Sequence, residues 1–438
     1  MRRTIWGWYF FDWASQPYAT LLTTFIFAPY MARIMGDGTA AQTVWGYGLA
    51  AAGLLIALGS PLLGAVADRA GGHRRFLLIF SAMYVLGAFG LWWAEPGQPR
   101  VLWTISCFVL GLIGMEYATS FTNALMPKLA ARGDLGRLSG SGWAFGYAGG
   151  VLALILVLLF LQEGPKGTTL IGLAPAFGLD PATAEGTRAV GPFTALWYLL
   201  FILPVFAFVP MPPAGPDGVR HALRQAWPDL KASLRRLPQN RPLAGFLGAS
   251  MLYRDALNGI YAFGGIYAVG VLGWQVRDVG IFGILAAITG ALGAWAGGRI
   301  DSRLGPRPVI VATLLVLVGC ALVVAGIGPF RIFGRPVPPL APTLAFYAVG
   351  AVIGAAGGAL QAASRTALID RADPARMTEA FGLYALSGKA TAFLAPLAIG
   401  IATQISGSQR IGVLPVIALF LAGLGLLCWA DMTRRPRT

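Results

Sequence analysis

Charged side chains are scarce in this 438-residue chain: Asp, Glu, Lys and Arg make up 12% of it, whereas hydrophobic residues make up 56%. A soluble domain needs more polar residues than this to cover its surface. Repeated apolar stretches of about 20 residues are instead what helices need to cross a bilayer core of about 30 Å. The composition therefore indicates an all-α polytopic membrane protein, and the mean hydropathy of +0.67 agrees.

Cysteine and histidine are also rare, with three cysteines and two histidines. All three cysteines fall in apolar stretches, and their odd number gives neither a disulfide framework nor metal-ligand spacing. His73 and His221 lie in basic segments, and the sequence contains neither a His-Glu-x-x-His pattern nor a nucleotide-binding P-loop. We therefore expect no metal, no cofactor, no enzymatic activity and no ATP-driven transport.

Acidic residues are the scarcer charges, with 18 Asp and Glu against 33 Lys and Arg and a formal charge of +15. In a soluble protein such an excess would suggest nucleic-acid binding. Here most basic residues lie in the loops of one side once the N-terminus is placed in the cytoplasm, which is the positive-inside pattern. We therefore expect a multi-pass protein of the bacterial inner membrane with both termini cytoplasmic, in contact with lipid and not with nucleic acid.

The apolar stretches number twelve, and the longest polar segment, 211–243, separates them into six plus six. This pattern predicts an N-terminal half at 1–210, a cytoplasmic linker and a C-terminal half at 244–438. The predicted transmembrane helices are 5–34, 44–67, 75–95, 101–126, 139–161, 190–210, 244–270, 278–298, 307–326, 342–365, 378–404 and 411–430.

The linker contains an amphipathic pattern. Between Val219 and Leu237, apolar residues such as Leu223, Trp227 and Leu234 recur at helical spacing, and basic residues lie on another face. This pattern is typical of a helix that lies on the lipid surface with its basic side towards anionic headgroups. A solvated linker is the alternative interpretation.

Two short segments repeat in the two halves, Gly64–Arg75 after the second predicted helix and Gly297–Arg307 after the eighth. Each begins with Gly, has Asp four residues later and ends on basic residues. These segments resemble the G-x-x-x-D-R-x-G-R-R signature of the major facilitator superfamily, more closely in the first copy. Superfamily members are built from two parallel six-helix repeats, so the resemblance implies 12 transmembrane helices in two six-helix pseudo-repeats.

A short acidic side chain in these loops can accept hydrogen bonds from N–H groups at the start of a neighbouring helix. The superfamily's architecture implies that Asp68 faces the start of the eleventh helix and Asp301 the start of the fifth. Such contacts would latch the two halves on the cytoplasmic side, although a role in the turn and in topology alone remains the alternative. The expected gating residues are Gly64, Asp68, Arg69, Arg75, Gly297, Asp301 and Arg303.

Further segments narrow the resemblance to the vacuolar-effluxer branch, the autophagy-related amino-acid exporters, and its bacterial members. The fungal members imply export of amino acids, whereas the bacterial ones imply little about substrate. The chain departs from the branch at Ser15, Gln16 and Pro17, and at Ala256 where Gly is usual. The segments that carry the resemblance are Phe11–Thr20, Asn123–Pro127, Gly142–Gly150, Tyr253–Asp255, Gln361–Arg365 and Phe381–Lys389.

Five charged side chains fall near the middle of predicted helices: Asp12, Glu116, Arg254, Asp255 and Lys389. A charge there costs at least about 2.5–3.5 kcal/mol on insertion scales, so each is a candidate for function. Polar neighbours at helical spacing extend these positions into stripes, which together predict a mixed-charge cavity suited to a zwitterion. The expected cavity residues are Asp12, Gln16, Glu116, Ser120, Asn123, Tyr147, Arg254, Asp255, Asn258, Gln361, Tyr384 and Lys389.

We therefore expect a monomeric secondary active transporter that exports a small polar solute, an amino acid or related zwitterion, by alternating access. Asp255 or Glu116 would carry a coupling proton, because protonation would change its pairing with Arg254 or Lys389. Fixed salt bridges without titration are the alternative, and sodium in place of the proton is left open. A sugar–cation symporter and a non-transporting receptor or assembly factor are the rival functions.

Overall fold

The computed structural model describes residues 2–35, 38–96, 100–164, 166–213, 219–274 and 276–432. Within these ranges, ten helical stretches are long and apolar enough to cross a membrane. They coincide with ten of the twelve predicted transmembrane helices. The other two, the first and the seventh, are also helical in the structure but carry polar side chains near their middle, among them Asp12 and the pair Arg254 and Asp255.

Apart from two short helices that were not predicted, the helices of the N-terminal half begin and end within six residues of the predicted bounds. They are α1 Arg2–Pro17, α2 Phe27–Met35, α3 Gly38–Ala70, α4 His73–Gly90, α5 Val101–Ala124, α6 Met126–Leu129, α7 Leu135–Phe160, α8 Glu185–Arg188 and α9 Val190–Phe208.

The C-terminal half follows a linker helix and contains one small antiparallel sheet, β1–β2–β3, which the sequence did not predict. The linker helix is α10 Val219–Arg236. The elements that follow it are α11 Arg241–Leu272, α12 Val276–Leu304, α13 Pro306–Gly326, β1 Ile327–Gly328, β2 Arg331–Ile332, β3 Arg335–Pro336, α14 Ala341–Ile369, α15 Met377–Ala390, α16 Leu394–Ser406, α17 Gln409–Gly412 and α18 Leu414–Met432.

The sequence predicted one continuous helix for the first transmembrane segment. In the structure this segment is interrupted, because a π-helical stretch, Tyr18–Phe25, joins α1 and α2. Pro17 has no N–H to donate to the carbonyl of Trp13, and the indole N–H of Trp197 fills that position at 3.1 Å. In the π-helical stretch the hydroxyl of Thr24 donates to the carbonyl five residues earlier at 2.9 Å. Such π-helical turns frequently occur at functional sites.

The eleventh transmembrane segment is also divided, into α15 and α16, where one helix was expected. The break is stabilised from outside the segment, because the Asp255 carboxylate on α11 accepts the N–H of Ala395 at 2.8 Å. An acidic group at a helix N-terminus satisfies a free N–H and interacts favourably with the helix dipole. The partner of this break lies 140 residues away in sequence, so local patterning contains no signal for it.

Candidate functional site

A cavity of about 640 Å³ lies between the two halves. Most of its lining comes from the π-helical stretch, α7, the second part of α11 and the first three turns of α12 and α14, so it extends towards the end of the bundle where α11 ends; α1, α2, α13, α16 and α18 also contribute side chains. The two signature loops lie at the other end of the bundle, which we call the loop face. The cavity is therefore placed asymmetrically along the helices.

The cavity wall is mainly apolar and aromatic, with Phe25, Tyr261, Phe282 and Phe346 among its side chains. Its polar groups include amides and hydroxyls, and no charged side chain lines it among the residues that the structure describes. The prediction of a mixed-charge cavity is therefore wrong for this conformation. The physical reason is that all five predicted charges bind partners outside the cavity lining: Asp12, Glu116 and Lys389 form ion pairs, whereas Arg254 and Asp255 bond to backbone groups.

The polar groups at the base of the cavity form a layer of three side chains from three helices. Gln16 and Tyr147 line the cavity, and Gln361 donates its amide N–H to the Tyr147 hydroxyl at 3.5 Å. Each of these residues has a partner one helical turn closer to the loop face, at four residues' spacing. These partners are Asp12, Trp143 and Arg365.

Asp12 and Arg365 form an ion pair that links the two halves, with N–O distances of 3.2 and 3.4 Å. The two side chains are only 10% and 6% exposed. The guanidinium lies over the ring of Trp143 at 4.6 Å, a cation–π arrangement. Space for the carboxylate comes from Gly142, where a Cβ would lie 3.0 Å from it. Arg365 was not among the predicted site residues, although its spacing from Gln361 in the same polar stripe was a usable signal.

Glu116 and Lys389 form a second ion pair between the halves, from α5 to α15, at 3.0 Å. These side chains are 25% and 31% exposed, so the protein encloses this pair much less completely than it encloses Asp12 and Arg365. Both residues were predicted from sequence, and the structure brings them together.

Arg254 and Asp255 do not pair with each other. The Arg254 guanidinium donates to the carbonyl of Tyr384 at 2.9 Å and lies 4.1 Å from the centre of its ring. Asp255 is 1% exposed and bonds to the start of α16. Its predicted position in the cavity is therefore wrong, because successive residues on a helix point about 100° apart and this one faces α16.

Three further predicted residues also lie away from the cavity lining. The Ser120 hydroxyl donates to the carbonyl of Glu116 at 3.1 Å, as a helical serine often does. Asn123 is buried near the loop-face end of α5, and Asn258 is exposed on α11. Neither is a lining residue in this conformation.

At the loop face the two halves are in close contact. The Asp68 carboxylate accepts the N–H groups of Thr378 and Glu379, at 3.2 and 2.8 Å, at the start of α15. This is the contact that the resemblance implies for the first signature loop. Gly64 lies so close to the same turn that a Cβ there would lie 2.6 Å from the Thr378 carbonyl oxygen.

The second loop makes a related contact by different atoms. Asp301 accepts the hydroxyl of Thr366 on α14 and abuts Gly136 at the start of α7, while Ser302 accepts the N–H of Arg137 at 2.7 Å. The fifth helix is thus the neighbour of Asp301, as expected, but the bond to its backbone is made by the next residue.

The glycine of the second loop that matches Gly64 in its contacts is Gly298. A Cβ on Gly298 would lie 2.8 Å from Gly140 Cα in the opposite half. A Cβ on Gly297 would instead meet Ala359 in its own half, at 2.6 Å. The prediction of Gly297 as the gating glycine is therefore wrong by one residue, and Gly298 makes the contact between the halves. The error arose because the two loops were aligned by sequence spacing alone. The basic residues expected to act in gating, Arg69, Arg75 and Arg303, are exposed.

Comparison with known sequences gives consistent matches. The family described as "Vacuole effluxer Atg22 like" matches residues 132–438. The uncharacterised MFS-type transporter YxiO of Bacillus subtilis is 23% identical over 97% of this chain and 94% of its own length. Autophagy-related protein 22 of Yarrowia lipolytica is 23% identical over 74% of this chain. The chain spans about half the length of the fungal relatives.

Solved structures show the same fold. The proton:xylose symporter XylE superimposes with a TM-score of 0.72 at 13% identity and covers 98% of this chain and 95% of its own. The human organic anion transporter MFSD10 superimposes with a TM-score of 0.66 at 18% identity, over 97% and 99%. These likenesses confirm the predicted fold of 12 transmembrane helices in two six-helix halves.

Proposed function

Because the chain belongs to the Atg22-like branch of the major facilitator transporters, we propose that it is a proton-coupled secondary active transporter that exports amino acids across a bacterial inner membrane. The observation that best supports a transport function is a cavity between the halves together with a tightly packed loop face, where ion pairs connect the two halves. With both termini in the cytoplasm, the loop face is the cytoplasmic side and the conformation is outward-facing. Alternating access then requires the loop-face contacts to break.

The cavity supports amino acids with apolar or aromatic side chains. Phe25, Phe282 and Phe346 form an apolar surface that favours burial of such a side chain. Gln16 and Tyr147 offer amide and hydroxyl groups to the charged ends of the substrate at the base. The amino-acid class itself follows from the resemblance to the vacuolar effluxers.

Glu116 is the proposed proton carrier, in preference to Asp255. It is partly accessible and is paired across the halves with Lys389, whereas Asp255 is buried and bonded to the backbone of α16. Protonation from the outside would remove the charge that holds Lys389, and the cytoplasmic side could then open. Loss of the proton to the cytoplasm and binding of an amino acid would allow the return step, so that proton entry drives substrate exit.

The test is flux in proteoliposomes with a mixture of labelled amino acids, with and without a pH gradient, for the wild type and Glu116→Gln. We expect gradient-driven flux of apolar amino acids in the wild type and loss of the gradient dependence in the variant. Asp134→Asn is the matched control, because this exposed carboxylate forms an ion pair with Arg137 of its own half.

If flux depends on a sodium gradient and not on a pH gradient, the coupling ion is sodium and not the proton. Absence of any amino-acid flux from folded protein would overturn the substrate class. A neutral solute such as a sugar is the second candidate, favoured because no charged side chain lines the cavity within the described residues. Labelled sugars in the same vesicles test it.

A further inference from the structure

The linker helix α10 presents three distinct faces around its axis. Ala222, Ala226 and Leu230, which are 0%, 3% and 5% exposed, form the face that packs against the bundle, chiefly against α3. At about 100° per residue, the directions of these side chains fall within a sector of about 80°. The remaining faces are free to contact something other than the protein.

The second face is apolar and exposed. Leu223, Trp227 and Leu234 lie next to the buried face around the helix and are 55%, 62% and 41% exposed. Three large apolar side chains in one stripe on a short helix are not the pattern of a solvated linker. The transmembrane helix that α10 packs against, α3, also exposes large apolar side chains, Leu55 and Leu58 among them, so apolar surface occurs on both elements.

The third face is basic. Arg224, Lys231 and Arg235 are exposed and point about 80° further around the helix from the apolar stripe. An apolar stripe bordered by Lys and Arg is the arrangement of a helix lying in a membrane interface, with the stripe among acyl chains and the bases at the headgroups. Anionic headgroups are attracted to such clusters, whereas a soluble protein partner would not explain why the bases border the apolar stripe.

The helix also bridges the two halves. Ala222 and Ala226 belong to the hydrophobic cluster of the N-terminal half, and Leu230 belongs to that of the C-terminal half. It therefore lies across the seam on the face where Asp68 and α15 are in contact. Opening of that face moves the two clusters apart, and α10 must then leave one of them.

We propose that α10 is a binding site for the anionic headgroups of the surrounding bilayer, and that lipid bound there stabilises the conformation with the loop face closed. The lipid holds the apolar stripe in the interface, so that the buried face remains seated on both halves. This proposal needs the fold and its membrane position, but not the substrate or the coupling ion. A flux assay that detects no amino-acid transport would therefore not contradict the lipid-binding proposal.

The first experiment places a fluorophore on α10 in nanodiscs of the full chain. A bimane on Trp227→Cys is expected to be quenched by brominated phosphatidylglycerol, whereas one on Gln225→Cys, about 200° around the helix, is not. Cys107 and Cys320 are buried, and labelling of the otherwise unsubstituted chain gives the background. Equal quenching at both positions, or quenching at neither, would overturn the assignment, as would disulfide-linked dimers through position 227.

The second experiment measures the conformational effect. Ser139→Cys reports loop-face opening, because Ser139 is fully buried there and bonds to Ala362 of the opposite half at 2.8 Å. We expect its reaction with a permeant thiol reagent to be slower in phosphatidylglycerol than in phosphatidylcholine bilayers, by at least about five-fold. The Arg224→Gln/Lys231→Gln/Arg235→Gln variant is expected to lose this difference.

The control for the second experiment is Arg331→Gln/Arg335→Gln, which removes exposed basic charge from the small sheet outside α10. It should keep the dependence on lipid. If the α10 variant retains the wild-type dependence on phosphatidylglycerol, the proposal is wrong, whether or not either variant transports a solute.

Discussion

At the residue scale, the two ion pairs between the halves differ in burial, and this difference separates their roles. Asp12 and Arg365 are almost fully buried, with the guanidinium held over Trp143, so a change of charge there leaves an unpaired ion out of water. Glu116 and Lys389 are 25% and 31% exposed, so the protein encloses the second pair less completely and the loss of one charge there is less costly. A group that must gain and lose a proton in each cycle is better placed at the second pair.

Asp12→Asn is expected to lower the stability of the folded protein strongly. Loss of one partner of a buried ion pair costs about 3–5 kcal/mol, because the other charge remains desolvated. The measurement is thermal unfolding of the purified protein in detergent. The double variant Asp12→Asn/Arg365→Met removes both charges and should regain part of the loss; equal destabilisation of the single and double variants would contradict this account.

Glu116→Gln is expected to lower thermal stability by much less, about 1 kcal/mol or under, because its pair is only partly enclosed by protein. The same unfolding experiment, run beside Asp12→Asn, gives the comparison. A loss as large as that of Asp12→Asn would show that this pair is structural and would weaken its assignment to proton coupling.

At the element scale, glycine controls how closely the helices of opposite halves approach. Gly64 on α3 packs against backbone atoms at the start of α15, and Gly298 on α12 packs against α7 at Gly140. Backbone atoms cannot rotate aside as a flexible side chain does, so a methyl group at these positions must push the helices apart. The two contacts lie on the same face of the bundle and are related by the repeat.

Gly64→Ala is expected to favour opening of the loop face, because its Cβ would lie 2.6 Å from the Thr378 carbonyl oxygen and 2.8 Å from Glu379 Cα. Faster thiol labelling at Ser139→Cys is the measurement. The matched control is Gly53→Ala on the same helix, where no atom lies within 4 Å of the added Cβ and the change gains helix propensity. Identical labelling in both variants would refute the role of the close contact.

At the scale of the whole molecule, the two halves must separate at the loop face if transport uses alternating access. Arg132 and Asp370 form an ion pair across this seam at 3.0 Å, outside the tightly packed contacts. Asp134 and Arg137 form a pair of similar geometry within one half, at 3.4 Å. The two pairs therefore distinguish motion between the halves from motion within a half.

Cross-linking of Arg132→Cys/Asp370→Cys with a short bifunctional thiol reagent is expected to abolish flux, and a cleavable reagent should allow recovery on reduction. The cross-link holds the halves together at the loop face, so the cavity cannot open to that side. The same treatment of Asp134→Cys/Arg137→Cys should leave flux nearly unchanged. Undiminished flux through the cross-linked first pair would exclude opening at this seam.

The amino-acid sequence by itself determined where most helices begin and end. The bilayer core requires an apolar run of about 20 residues in a transmembrane helix, and such a run is visible in the sequence, as in α9 at Val190–Phe208 against a predicted 190–210. The sequence also located the Asp68 loop, through its repeated motif. It located the mid-membrane charges as well, because a charged residue within an apolar stretch can be recognised without knowing which residue it pairs with.

The tertiary structure alone decided which groups face each other. Asp255 bonds to α16, Arg365 pairs with Asp12, and Gly298 rather than Gly297 meets the opposite half. Sequence gives the depth of a residue along its helix, but rotation about the axis and the partner helix depend on packing over hundreds of residues of separation. A rotation of about 100°, one residue's step, exchanges a cavity side chain for a buried one.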